Sequence, residues 1–282
     1  MKRRLIFFIF YFVLISPVVA YADSSQIFDS EKTNVFVAIM IFSLFFFGFL
    51  MVSRKGMKLH LREIPGIAAI EEAVGRATEM GRPVLFIPGL DDIDEIQTLA
   101  GIAILSHVAK IVADYESDII VPTRKALTLS ICEETVREGY AAAGRPDAYK
   151  PDNIRYLSDE QFAFTAGVDG IILREKPAAN IYLGMFYAES LILAENGFAS
   201  GAIQVAGTAA IWQIPFFITS CDFTLIAEEF FAASAYLSKN PKILASIKAS
   251  DYFKLVVIGG MILGIVCATF APDWLEVLRQ WF

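Results

Sequence analysis

The strongest constraint in this sequence of 282 residues is an uncharged apolar run over residues 35–52, which contains six phenylalanines. A run of about 18 apolar residues is long enough to cross the hydrocarbon core of a bilayer. The alternative is the core helix of a soluble domain, but this run has no polar stripe to present to water. We therefore predict a transmembrane helix over residues 35–53.

Two more apolar segments lie near the ends of the chain. Residues 1–22 combine a basic start, an apolar stretch and Ala20-Tyr21-Ala22, which is typical of a signal peptide or a retained signal anchor. Residues 254–271 form a second predicted transmembrane helix. Within it Gly260 and Gly264 have the spacing of helix-packing glycines, although that spacing is also common by chance.

Basic residues predict the orientation of the two transmembrane helices. They flank both helices on the side of the central domain, and comprise Arg54, Lys55, Lys58, Arg62, Lys239, Lys242, Lys248 and Lys254. Because such residues stay on the cytoplasmic side, we expect a central cytoplasmic domain on a bacterial inner membrane. Residues 23–34 then form a short external linker and residues 272–282 an external interfacial tail.

Residues 57–250 alternate short apolar runs with amphipathic segments, which favours an α/β domain with a mainly parallel sheet flanked by helices. Strands are predicted at 84–87, 119–121, 153–157, 180–183, 202–206 and 216–219. Helices are predicted at 67–80, 94–115, 126–143 and 223–237, with Ser158 and Gln161 as the capping box of another. The uncharged segment 196–221 is interpreted as two strands and a turn, with a further membrane span as the alternative.

Polar residues follow the predicted strands at the edge where open α/β sheets bind ligands. The candidate ligand-binding residues are Gly89, Asp91, Thr123, Arg124, Ser158, Ser220 and Asp222. Each also has a structural explanation, since acidic and hydroxyl side chains commonly cap helix starts. Cys221 at a helix start could be reactive, but a buried structural thiol is the simpler interpretation.

Several classes of function are disfavoured by what the sequence contains. Two histidines and three scattered cysteines do not make a zinc site, a catalytic triad or a disulfide framework. Neither a glycine-rich dinucleotide fingerprint nor a P-loop occurs. A net charge of −7 argues against nucleic acid as a partner. We predict no catalytic residue, metal or cofactor.

Four stretches carry a family resemblance: residues 201–208, 213–222, 226–229 and 235–238. They resemble an uncharacterised family of bacterial membrane-anchored proteins that is defined by a domain of unknown function. The similarity covers roughly residues 60–265. The resemblance implies a membrane-anchored domain, and it implies no reaction.

These observations favour a non-enzymatic component that self-associates or scaffolds an inner-membrane assembly. Its partners would be the lipid bilayer and further copies of the chain or other membrane subunits. The alternative is a small-molecule- or nucleotide-binding domain, possibly enzymatic, that is tethered to the membrane. A transport component would need residues 196–221 to span the membrane as well.

Overall fold

The computed structural model describes residues 33–54, 64–238 and 241–270. The predicted signal segment 1–22, the tail 272–282 and the flanking residues Lys55, Lys58, Arg62 and Lys239 lie outside the described residues. Most of the predicted linker 23–34 does so too. By their contacts the residues form two units, one of residues 57–247 and one of residues 1–56 with 248–282.

The larger unit alternates strands and helices along the chain, as the sequence predicts. Its strands are β1 (Val84–Ile87), β2 (Ile119–Thr123), β3 (Ile154–Tyr156), β4 (Ala179–Leu183), β5 (Ile203–Thr208) and β6 (Phe223–Ile226). Its helices are α2 (Pro65–Glu79), α3 (Ile96–Asp114), α4 (Ala126–Ala142), α5 (Gln161–Glu175), α6 (Glu189–Ala199), α7 (Ile214–Ser220) and α8 (Glu228–Ser238). Two further α-helices among the described residues are α1 (Thr33–Arg54) and α9 (Pro241–Phe270), and α9 contains residues of both units.

The six strands form one sheet in the order β3-β2-β1-β4-β5-β6, and every neighbouring pair is parallel. After β1, the chain adds β2 and then β3 on one side of it. It then returns to add β4 on the other side of β1, followed by β5 and β6. The order and the parallel pairing define a doubly wound α/β sheet. The predicted class, a mainly parallel sheet flanked by helices, is confirmed.

Each face of the sheet has its own hydrophobic core. One core joins α2, α3, α4 and α8 to side chains such as Phe86, Val121 and Ile181. The other joins α5, α6 and α7 to Leu85, Ile87 and Tyr182 on the opposite face. Successive residues of β1 point into different cores because side chains alternate across a strand. We refer to α2, α3, α4 and α8 as the first layer and to α5, α6 and α7 as the second layer.

Residues Val35–Met51 of α1 form a shorter apolar helix. Helix α3 is the longer candidate among the described residues, and its 19 residues with a mean hydropathy of 1.6 are enough to cross a membrane. Most of it is buried inside the larger unit, where it packs on the sheet in the first core. A buried core helix has the same composition as a membrane span. Its apolar character is therefore explained by the fold alone.

Two predictions between β5 and α8 are wrong. Residues 216–219 lie in α7, whose first turn contains Pro215. A short apolar run does not distinguish a strand from a buried helix, and the proline at a helix start was the signal for the helix. The predicted helix 223–237 begins instead with β6, and α8 starts where Glu228 and Glu229 occupy its first turn.

The segment 196–221 thus has neither of the two predicted arrangements. It contains the end of α6, then β5, then α7. Strand β5 pairs with β4 on one side and β6 on the other, and is buried over almost its whole length. The absence of charge in this segment reflects an interior strand and two helices that pack on it.

In the smaller unit, α1 contacts the part of α9 that follows Ile247. The ring of Phe42 meets Phe253 edge to face with centroids 5.8 Å apart, and Phe49 lies 5.0 Å from Tyr252. Among the described residues, no atom lies within 4 Å of a Cβ built at Gly260 or Gly264. Within the described part of the chain, those two glycines therefore contact no other helix.

Candidate functional site at the carboxyl edge of the sheet

Five predicted ligand-binding residues lie at one edge of the sheet, where the parallel strands β1, β2 and β3 end: Gly89, Asp91, Thr123, Arg124 and Ser158. The loops that follow β4 and β5 reach the same edge. The doubly wound order changes direction between β1 and β4. In such sheets ligands bind in the crevice at that point, so this edge is the candidate site.

The loops after β1 and β4 touch each other through two glycines. Both have positive φ, +86° at Gly89 and +148° at Gly184. A Cβ at Gly89 would lie 2.7 Å from the amide nitrogen of Met185, and one at Gly184 would lie 2.6 Å from the carbonyl oxygen of Pro88. Leu90 also donates its N–H to the Met185 carbonyl at 2.9 Å. Backbone atoms of the loops after β1 and β4 therefore fill the start of the crevice between these two strands.

Asp91 is held by a tyrosine from the facing loop. The Tyr187 hydroxyl donates to Asp91 Oδ2 at 2.6 Å. This hydrogen bond and partial burial raise the pKa of Tyr187 to about 12, so the phenol stays protonated at neutral pH. The Asp91 carboxylate is thus engaged within the chain.

Arg124 also binds backbone atoms of the neighbouring loops. Its Nε donates to the carbonyl oxygen of Asp159 at 2.8 Å, and its Nη1 approaches the Leu90 carbonyl at 3.5 Å. Lys125 forms an ion pair with Asp159 at 3.6 Å. Arg124 therefore links the loops after β1, β2 and β3.

The two candidate hydroxyls are engaged as well. Thr123 is fully buried and donates to the carbonyl of Arg155 at 3.4 Å. Ser158 Oγ accepts the Glu160 N–H at 3.1 Å. The predicted capping box is wrong, because the cap of α5 is Glu160, whose Oε2 accepts the Ala163 N–H at 2.5 Å. A carboxylate is a strong cap, since it also faces the positive end of the helix.

Gln97 is a residue of this edge that the sequence analysis missed. Its buried Oε1 accepts the Ala209 N–H at 2.7 Å and the Thr208 hydroxyl at 3.2 Å, and its Nε2 lies 3.1 Å from Met185 Sδ. One side chain at the start of α3 thus connects the loops after β4 and β5. A glutamine in the first turn of an amphipathic helix gives no signal of such a role.

A second missed residue is Glu189, a fully buried carboxylate at the start of α6. Its Oε1 accepts the Tyr187 N–H at 2.6 Å, and its Oε2 accepts from Gln161 Nε2. Next to it, Ser190 donates to Gln213 Oε1. A buried charge requires such partners. These bonds tie the starts of α5 and α6 to the loop after β4.

Ser220 and Asp222 lie at the opposite edge of the sheet, because they precede β6 and do not follow a strand. Asp222 Oδ2 accepts the Gln204 N–H at 2.8 Å, and the Ser220 carbonyl accepts from Gln204 Nε2 at 2.7 Å. The prediction that both stand at a strand's carboxyl end is wrong. Their contacts align β5, α7 and β6.

The Cys221 thiol lies between these two residues. Burial and the neighbouring Asp222 raise its pKa to about 12. A nucleophilic thiol needs a lowered pKa, so this environment favours the structural interpretation.

Among residues 33–54, 64–238 and 241–270, no group of three His, Cys, Asp or Glu side chains is placed to hold a metal ion. His107 pairs with Glu71 at 3.3 Å on the surface of the first layer. A surface depression lies at the amino edge, away from the candidate site, and is lined by Thr78, Gly81, Arg82, Pro83, Tyr115, Glu116, Ser117 and Asp118.

Comparison with known proteins identifies a family. The model of a family described as a domain of unknown function (DUF6754) matches residues 23–279, which is most of the chain. No curated protein matches, and no solved structure matches. The predicted resemblance to a family of unknown function is confirmed, while the bacterial origin and the membrane anchoring stay predictions.

Proposed function

Since the chain belongs to the family described as a domain of unknown function (DUF6754), we propose its function from its own residues: a membrane-anchored, non-catalytic assembly component. The two helices of the smaller unit would anchor it. The doubly wound domain would associate with copies of itself or with other subunits on the cytoplasmic side of an inner membrane.

The observation that carries this proposal is the outer surface of α1 and α9. Residues 33–53 and 255–270 contain no charged side chain. Apolar side chains are exposed on several sides of both helices, including Val35, Ile39, Leu44, Phe47, Leu255, Met261 and Ile265. Water is a poor solvent for such a surface, whereas hydrocarbon is a good one. The 21 uncharged residues of α1 span about 31 Å, which is close to the ~30 Å thickness of the bilayer core.

The state of the candidate site supports a non-catalytic role. Asp91, Thr123, Arg124 and Ser158 all bind other groups of the chain. Their hydrogen bonds hold the loops in place. This arrangement fits a rigid module that presents its surface to partners.

Maleimide labelling tests the orientation. Asp147→Cys places a thiol on an exposed turn of the larger unit. We expect an impermeant maleimide to label it only after cells are permeabilised. Ser30→Cys, in the predicted external linker, is the matched control and should be labelled in intact cells. Labelling of Asp147→Cys in intact cells would overturn the proposed orientation.

Native mass spectrometry of the detergent-extracted full chain tests the association. We expect a multimer or a complex with other membrane subunits. A monomer with no bound protein would contradict the proposal.

One observation favours the alternative function, a small-molecule- or nucleotide-binding domain. The strand order places a direction change between β1 and β4, which is where doubly wound domains hold ligands. A thermal-shift screen of nucleotides and inorganic anions separates the two functions. Stabilisation that is lost in Arg124→Ala would favour the ligand-binding function.

A further inference from the structure

The two helix layers of the larger unit differ in the character of their outer surfaces. Residues 65–158, which include α2, α3 and α4, contain 24 charged residues in 94. Residues 161–220, which include the whole second layer, contain six in 60. A helix that faces water on one side normally has charged or polar residues there. The second layer departs from that rule, so its outer face requires another explanation.

Helix α5 shows the departure clearly. Phe164, Val168, Ile171 and Ile172 are buried against the sheet. Phe162, Ala166 and Leu173 lie on the other side and are exposed. Their spacing of four and seven residues places them on one face of the helix. Helix α5 is therefore apolar on both its inner and its outer side.

The neighbouring helices continue this surface. Ile192 and Phe198 are exposed on α6, and Ile211, Trp212, Phe216 and Ile218 are exposed on or just before α7. Helix α6 packs against both α5 and α7. We call the exposed side chains Phe162, Leu173, Ile192, Phe198, Ile211, Trp212, Phe216 and Ile218 the apolar face.

We propose that the apolar face is the surface through which two copies of this chain associate. The inference deepens the proposed assembly function and rests on it, since it assigns the association to one surface and one partner.

The exposed area fits a dimer. The eight side chains of the apolar face each expose between 38% and 76% of their area. With about 150–250 Å² per aromatic side chain and somewhat less per aliphatic one, the face exposes on the order of 700–900 Å². A standard protein interface buries about 800 Å² per partner. The surface is therefore large enough for a stable, specific contact.

The charge around the face also favours a second copy. Within residues 161–220 the exposed charged residues are the basic Arg174 and Lys176 and the acidic Glu175 and Glu195, so the formal charges on the layer itself cancel. The chain as a whole carries −7. Two copies that met through the first layer, which is acidic, would repel each other, whereas copies that met through this face would not.

A lipid surface fits the face less well. Helices that lie on a bilayer carry an excess of Lys and Arg around their apolar side, because those residues bind anionic headgroups. Here the two basic residues are matched by two acidic ones. Membrane contact is therefore the rival outcome of the test.

The test compares two leucines in the full-length, detergent-extracted chain. Leu173 lies on the apolar face and is 71% exposed, and Leu99 lies on the first layer and is 50% exposed. We expect the wild-type chain and Leu99→Glu to be dimeric by light scattering and sedimentation. In Leu173→Glu the dissociation constant should rise about a hundredfold or more, because a carboxylate would be buried in an apolar contact.

Circular dichroism melts establish that both variants are folded. Should Leu173→Glu unfold, Phe198→Ser gives a second, uncharged test at the same face, with the same expected direction.

The possible outcomes separate the inference from the function on which it rests. A dimer that neither Leu173→Glu nor Phe198→Ser weakens would overturn the apolar face as the interface, and would leave the assembly function standing. A wild-type chain that is monomeric and carries no other subunit would overturn both, whereas a monomer bound to other membrane subunits would overturn the inference alone. Unchanged mass of the folded variants, together with weaker crosslinking of residues 161–220 to a photoactivatable lipid in liposomes than in the wild-type chain, would assign the face to lipid and overturn the dimer.

Discussion

At the scale of single residues, the buried polar side chains show how the second layer is held. Asp169 on α5 is half-buried, one of its carboxylate oxygens has no hydrogen-bond partner, and burial raises the pKa of the carboxyl although a hydrogen bond from Asn196 opposes this. Tyr182 donates to Gln204 Oε1 at 3.0 Å and to the carbonyl of Leu193. Such groups require partners in an apolar core, and among the described residues Asp169 and Asn180 are incompletely satisfied.

The raised pKa of Asp169 predicts a pH dependence of stability. The folded chain binds this proton more tightly than the unfolded chain, so the contribution to folding is present below the ordinary Asp pKa and is lost as the pH rises through the folded pKa. Asp169→Asn removes that loss of stability, because an asparagine side chain does not ionise. We expect a gain in unfolding free energy at pH 7 on the order of 0.5–1 kcal/mol, which disappears near pH 3.

Urea melts of the wild-type chain and of Asp169→Asn at the two pH values measure this effect. Asp147→Asn, on an exposed turn, is the control for a general change of net charge. An equal gain in both variants, or a gain for Asp169→Asn at pH 3 alone, would show that burial of Asp169 is not the cause.

At the scale of helices and strands, close backbone contacts set the packing of the layers. Gly101 lies on the buried side of α3, and a Cβ at this position would lie 2.4 Å from the carbonyl oxygen of Leu183 in β4. A backbone oxygen in the middle of a sheet does not move easily. The glycine therefore allows α3 to lie against the sheet.

The pair Gly101 and Gly75 gives a matched test. Gly101→Ala should lower the unfolding free energy by about 1–3 kcal/mol through overpacking. Gly75→Ala, in α2, adds a Cβ that has nothing within 4 Å, and should raise it by about 0.5–1 kcal/mol through helix propensity. Chemical denaturation of the two single variants measures both. Similar effects of the same sign would contradict the role of the close contact.

A helix or strand can be predicted from the sequence when its own residues and the adjoining turns determine it. Strands β1 to β4 are short β-branched and apolar runs bounded by turns, and the sequence places them to within two residues. The errors fall between Ile214 and Ile226, where helix and strand are both short, apolar and nearly uncharged. There the three-dimensional environment decides, since β6 exists by pairing with β5.

The candidate site was predictable in part for a related reason. Five residues were brought to one edge because parallel strands end together there. Ser220 and Asp222 were misplaced because one strand was misassigned. Gln97 and Glu189 were missed because their role depends on loops that come from distant parts of the sequence, and a single sequence contains no sign of that proximity.

At the scale of the whole molecule, one sheet supports two separate cores. Cys132 is buried in the core of the first layer, and burial together with Glu133 raises its pKa to about 12. Cys221 packs against the core of the second layer. The reactivity of each thiol therefore follows the unfolding of the core on one face of the sheet, and the two thiols lie on opposite faces.

Because both cores share the sheet, we expect them to unfold together. In pulsed thiol labelling across a urea series, read by peptide mass spectrometry, both cysteines should become reactive at the same urea concentration. In the native state at pH 8 each should react roughly a hundredfold or more slowly than in urea, since little thiolate forms. Two distinct midpoints would show that the layers are independent folding units.

The pairing of β1 with β4 has a consequence for the timing of synthesis. Val84 pairs with Ala179, so one side of β1 finds its partner only when the ribosome has added about 95 further residues. At roughly 5–20 residues per second this takes on the order of 5–20 s. During that time β1 is an apolar strand with one edge unpaired, and such an edge is a template for pairing with other chains. Until β4 is synthesised, that edge is open to a chaperone, to the nascent helices or to another chain.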